Sequence, residues 1–149
     1  MDERELKVMQ DVEKHGWHVI KVLGDESGPA FAYSIGLFKS FQHPEVMIVG
    51  LASDTMHKII NNIGLDVKQG KTFQNGLLSD DILDGYTCAL REVSLKHYKK
   101  LVGWAIWFYD GTNFPLVQCV WPDRHRHFPW ERGCAQDIRD LQPTYFDAD

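Results

Sequence analysis

The residues of this chain best equipped for chemistry crowd into one segment, Trp121-Pro122-Asp123-Arg124-His125-Arg126-His127-Phe128-Pro129-Trp130. If that segment is extended, His125 and His127 face the same side, with Asp123 and Glu131 near enough in sequence to add carboxylates. Two neutral imidazoles and a carboxylate can hold Zn²⁺ or Fe²⁺. Arg124 and Arg126 interleave with the histidines and would repel a cation, so no metal ligand is assigned. Two Arg and two His beside indole faces suit an anion, a planar ligand or a protein partner. The candidate binding residues are therefore Trp121, Asp123, Arg124, His125, Arg126, His127 and Trp130, joined by Tyr33 and His43. The opposing reading is a solvated loop pinned by aromatic and proline packing.

No catalytic residue is assigned. Cys119 lies mid-strand between Gln118 and Val120, as an inert thiol would. Cys134 has Arg132 nearby and a possible helix start ahead of it, but no His and Asn follow in the order a thiol hydrolase needs. Ser34 lacks the preceding Gly of a nucleophile elbow. The loop Gly24-Asp25-Glu26-Ser27-Gly28 lacks the Lys and Ser/Thr pair of a phosphate cradle. Lys96, His97, Lys99 and Lys100 read as a solvated basic face.

The elements that must hold these residues follow from periodicity. Asp2 and Glu5 form a capping box, and Leu6, Met9 and Val12 recur at helical spacing until His15-Gly16, which gives a helix over 3–15. Trp17 to Leu23 and Ala30 to Gly36 are β-rich runs joined by a turn cluster, as in an antiparallel hairpin. Phe38 to Pro44 reads as a loop with two exposed aromatics. The apolar run Glu45 to Leu51 reads as a central strand covered on both faces. Ser53 is a natural N-cap for a helix carrying Met56, Ile59, Ile60 and Ile63, with Gly64 placed to end it. Residues 65–84 read mostly as loop, with a short strand near 71–73. Tyr86 to Val93 reads as a strand, followed by a helix capped by Ser94 that runs towards Asp110 and carries Trp104, Trp107 and Phe108 into the core. Leu116 to Trp121 is the last strand, and a short helix is expected around 134–141. The order implies an α+β fold, a mainly antiparallel curled sheet resembling a half-barrel, flanked by two to three helices.

The bulk properties agree with such a domain. The chain has 149 residues, 44% hydrophobic and 25% charged, which suits one compact domain and excludes disorder or a coiled coil. Net charge is −5, with −3 over residues 1–26, zero over 27–122 and −2 over 123–149. That sign speaks against nucleic acid or an anionic membrane as partner. No run approaches a membrane span, and the acidic start is unlike a signal peptide, so a cytoplasmic location is expected. Three widely spaced cysteines are expected as free thiols. Nine of the eighteen aromatic residues fall between Tyr98 and Trp130.

The segments Gly-Pro-Ala-Phe-Ala-Tyr-Ser-Ile-Gly-Leu at 28–37, His-Pro-Glu-Val-Met-Ile-Val-Gly-Leu at 43–51, Gln-Cys-Val-Trp-Pro-Asp at 118–123 and Phe-Pro-Trp-Glu at 128–131 resemble the bacterial family of domain of unknown function 4262. The likeness covers about 17–131 of a single domain over 1–149, leaving 132–149 as a variable tail. It implies a bacterial origin and a small cytoplasmic α+β domain, and brings no activity with it. A fainter similarity to flavin-reductase-like split barrels lacks their phosphate-binding segment. The expected function is a noncatalytic protein-binding module, such as an immunity or adaptor protein for a basic, toxin-like partner, acting as monomer or homodimer without a cofactor. The alternative is an enzyme or binder of a flavin, nucleotide or metal, with its pocket beside the Trp121–Trp130 loop.

Overall fold

A computed structural model describes residues 1–147. Helix α1 (Glu3–His15) opens on the expected capping box, the Asp2 carboxylate accepting from Glu5 N at 2.8 Å and the Glu5 carboxylate from Asp2 N at 3.0 Å. It stops where Gly16 turns left-handed, at φ 104°. Strands β1 (His18–Val22) and β2 (Phe31–Ile35) pair antiparallel in unbroken register, and β3 (Glu45–Val49) follows a short helix α2 (Leu37–Phe41). Helix α3 (Ser53–Lys68), strands β4 (Leu78–Leu83) and β5 (Tyr86–Glu92), a 3-10 turn at Leu95–His97, helices α4 (Tyr98–Leu101) and α5 (Gly103–Tyr109), strand β6 (Leu116–Val120) and helix α6 (Gln136–Leu141) complete the chain.

The six strands form one open, curled sheet in the order β1-β2-β3-β6-β5-β4, antiparallel except for β3 and β6. The α+β architecture is therefore as expected, with β3 central, but among the described residues six helices replace the two or three anticipated. Alternation splits the sheet into two apolar faces. Ala32, Val46, Ile48, Leu90, Val117 and Cys119 pack beneath the apolar stripe of α3. Phe31, Tyr33, Met47, Val49 and Leu116 pack instead with Val8 and Val12 of α1 and with Tyr98, Leu101 and Ala105. Among the described residues no helix is long and apolar enough to cross a membrane.

Five local readings are corrected. Residues 37–41 form α2 rather than loop, and Phe38 and Phe41 are half-buried, because the Glu45 side chain accepts the amides that begin this helix. Ala52, not Ser53, is the N-cap of α3, and no side chain caps it. Gly64 does not end that helix, which continues to Lys68; its missing side chain admits Trp17, whose Cε2 would lie 2.4 Å from a Cβ there. The indole Nε1 donates to Asn61 Oδ1 at 3.0 Å in the same contact. No strand forms at 71–73, where Phe73 is instead buried in the core, and the strand lies at 78–83. The single helix expected after Ser94 is broken at Val102, at φ −121° and ψ 46°. Trp107 consequently stays exposed, its ring edge-on to half-buried Trp104 at 5.6 Å. Cys88, Cys119 and Cys134 are free, buried thiols.

Candidate functional site

The loop after β6 is built around one carboxylate. Asp123 is almost fully buried. Its Oδ1 accepts from the amides of His125 and His127, both at 2.9 Å, and its Oδ2 accepts from Ala135 N at 3.1 Å. The Asp123 amide donates to His127 O at 2.8 Å, and Arg126 reverses the chain in the left-handed region at φ 69°. A side chain that gathers nearby amides is the ordinary use of Asp in turns. The three amides hold the carboxyl below its usual range, the bond from His127 most strongly, against opposition from burial.

This turn separates the two histidines that an extended chain would align. Arg124, His125 and Arg126 are exposed, and the Arg126 guanidinium sits over the Tyr86 ring at 5.4 Å. His127 is half-buried against Gly133, with Nδ1 3.7 Å from Asp123 Oδ2 and no hydrogen bond. The one-face arrangement of His125 and His127 is thus corrected: Asp123 spends its oxygens on backbone amides. Among the described residues no three His, Cys, Asp or Glu side chains are grouped to hold a metal ion.

The two tryptophans bounding the loop part company. Trp121 is buried, donates from Nε1 to Val49 O at 2.8 Å, and has its backbone bracketed by the Gln142 amide, which accepts from its N–H at 2.9 Å and donates to its carbonyl at 2.7 Å. Trp130 is 44% exposed. Its ring stacks on Phe128 at 4.8 Å and meets Phe146 edge-on at 5.7 Å, while the Arg91 guanidinium lies 5.3 Å from Trp130 and 4.6 Å from Phe146. Arg91 pairs with Gln118 across β5 and β6, and Gln118 ties the tail to the sheet by donating to Pro143 O at 2.9 Å and accepting from Tyr145 N at 3.0 Å. A groove of ≈ 610 Å³ results, with β5 as its floor and Leu78, Leu95, Trp130, Phe146 and Asp147 among its walls.

Tyr33 and His43 lie away from this groove. Tyr33 is buried against the amides that begin α5, and burial pushes its phenol well above the usual value. His43 is buried with Nε2 accepting from Phe73 N at 2.8 Å, so its Nδ1–H donates to Pro44 O at 2.7 Å. It pins the loop after α3 in neutral form, and burial lowers its basicity.

Sequence reasoning missed a second carboxylate hub. Glu45 is fully buried at the start of β3. It accepts from Ser34 Oγ at 2.7 Å, from the amides of Gly36, Leu37 and Phe38 at 2.9, 3.2 and 3.3 Å, and from the Tyr109 hydroxyl. Ser34 Oγ in turn accepts from Val46 N at 3.0 Å, and Tyr109 Oη from Lys39 N at 3.2 Å. Burial raises the Glu45 carboxyl above its ordinary range, and these donors oppose that rise. The readable signal was a Ser and a Glu in otherwise apolar strands, which must find partners once buried.

The chain belongs to the family described as Domain of unknown function (DUF4262), whose model matches residues 11–135. No curated protein and no solved structure matches it.

Proposed function

We propose that this chain is a noncatalytic protein-binding module, of the immunity or adaptor kind, whose partner docks in the groove beside Trp130. The observation carrying this reading is convergence: Leu78 and Leu95, each 62% exposed, and Trp130 line one groove. Single exposed leucines are ordinary on a folded protein, whereas several around a concave aromatic surface mark a contact site. The stacked Phe128–Trp130 pair and Phe146 supply rigid apolar area, and Arg91 lies against the rings, a composition typical of interface anchors. Glu92 and Asp147 line the groove, and the net charge of −5 favours a basic, toxin-like partner in a bacterial cytoplasm.

Site-specific photo-crosslinking tests the reading. A photoreactive residue replacing Leu95 is expected to crosslink one protein in cells of the source organism, and the same residue replacing Asn62, exposed on α3 and outside both the groove and the clefts that flank β1, is not. Equal crosslinking from both positions, or none from Leu95, would overturn it.

A further inference from the structure

The two ends of the sheet are finished differently. At β4 the edge is blunted: its register with β5 is irregular between Ser79 and Leu83, Ser79 Oγ accepts from Asp81 N at 3.2 Å, and Asp80 and Asp81 project as exposed charges. Such devices discourage another strand from pairing. At β1 the ladder with β2 runs without interruption from His18↔Ile35 to Val22↔Phe31. Among the described residues, the outer side of β1 has no backbone hydrogen-bond partner.

This open edge is flanked by two clefts that meet at Lys7, His18 and Val19. One, of ≈ 330 Å³, is lined by Arg4, Lys7, Lys21 and Trp104, with Glu3 its one acid. The other, of ≈ 540 Å³, is lined by His15, His18, His57, Asn61 and Leu65, with Asp11 its one acid. Arg4, Lys7 and Lys21 outnumber Glu3 and Asp11 in the two clefts by one charge, a local excess within a segment, residues 1–26, that sums to −3. Lys7 meets Asp11 at 3.0 Å and Lys21 reaches Asp54 only at 3.9 Å; the lysines and Asp54 are solvent-exposed, and exposed pairs of this kind exchange readily for a ligand's carboxylates. Asp11 accepts from His18 Nδ1 at 2.7 Å when that nitrogen carries the proton, which fixes the ring beside the edge.

We infer that β1 receives an extended acidic segment of a partner protein as an added strand. Successive side chains of an added strand point to opposite faces, and a cleft stands ready on each side of β1. The Trp104 ring, with the Arg4 guanidinium 4.9 Å from its centroid, provides an apolar plate for one of them. Because β1 and β4 lie at opposite ends of the sheet, a partner at β1 and one in the Trp130 groove can be held together. The inference stands independently of the groove reading and extends it, making the chain a bridge between two proteins.

The test uses a fluorescein-labelled peptide, Thr-Val-Glu-Val-Glu-Val-Thr, with two controls: one carrying Lys in place of Glu, the other N-methylated at alternate amides so that it cannot pair on one edge. Anisotropy is expected to show the acidic peptide binding at least about tenfold more tightly than either control. Hydrogen exchange should slow at the outward amides of β1. The exposed charge reversals Arg4→Glu and Lys21→Glu together should weaken binding by about tenfold, and Trp130→Ala should leave it unchanged. If the double variant does not melt as the wild-type protein does, the two control peptides on wild-type protein decide the matter. No binding by about 1 mM peptide, equal binding of either control, or protection falling on β4 or the Trp130 groove would overturn the inference.

Discussion

Glu45 and Asp123 solve the same local problem and leave opposite surroundings. Each carboxylate gathers three backbone amides and so orders a segment that has no regular strand or long helix of its own. Glu45 also takes the Ser34 and Tyr109 hydroxyls, and α2 and α5 close over it. No coordination site of Glu45 is left for a ligand, so its region is a seal. Asp123 draws in only the inner side of its loop, and the outer side carries exposed Arg124, His125, Arg126 and Trp130. One hub spends its polarity on holding the fold together, while the other holds a surface in place. The difference explains why the densest chemical segment is buried scaffold at Trp121 and Asp123 but leaves Trp130 exposed.

The contrast can be broken by mutation, beginning where the effect is largest. Glu45→Ala leaves three amides and two hydroxyls without their acceptor and should cost roughly 3–5 kcal/mol in urea unfolding. A loss below about 1 kcal/mol would mean that water fills the site and that it is not sealed. Trp121→Ala removes a buried indole and should cost a similar 3–5 kcal/mol, roughly, whereas the loop's other tryptophan should not. Gly64→Ala, which drives a methyl group into Trp17, should cost about 1–3 kcal/mol without affecting either hub. Tyr109→Phe removes one donor from Glu45 and should cost about 1 kcal/mol.

The hubs should also respond to pH with opposite signs. Asp123 is lowered from 3.8, so its contribution is present above that value and is lost as pH falls towards the folded one. Glu45 is raised from 4.5, so its contribution is fullest below 4.5 and is lost as pH rises through the folded value. Stability differences between wild type and Asp123→Asn, and between wild type and Glu45→Gln, measured across about pH 3 to 8, should slope in opposite directions. Parallel slopes would contradict the distinction drawn between the two regions.

Much of the scaffold was legible because periodicity and turn chemistry act locally. The capping box at Asp2 and Glu5, the hairpin of β1 and β2 and the central run of β3 all follow from near neighbours in sequence. What escaped depends on distant partners. Gly64 has the form of a helix terminator, and only the approach of Trp17, far away in sequence, reveals it as a packing position. Phe38 to Phe41 looked like loop because the acceptor for the amides of Phe38 and the residues just before it lies in the next strand. Strand β4, with Asp80 and Asp81, is held by its ladder with β5 despite a composition poor for strands. At the candidate site, sequence proximity groups Asp123 and Glu131 with His125 and His127, but their mutual geometry depends on Arg126 turning left-handed. Nothing in residues 121–130 alone distinguished Trp121, held by Val49 and Gln142, from Trp130 beside Arg91 and Phe146.

On the proposed function, the Asp123 hub presents Trp130 for binding and does not need it for folding. Calorimetric titration of the crosslinked partner, once purified, against wild type and Trp130→Ala tests this most directly when both proteins are also melted in the same buffer. The expected result is an affinity loss of about 2 kcal/mol for Trp130→Ala, with stability changed by less than about 1 kcal/mol. Unchanged affinity, or a stability loss as large as that of Trp121→Ala, would contradict it.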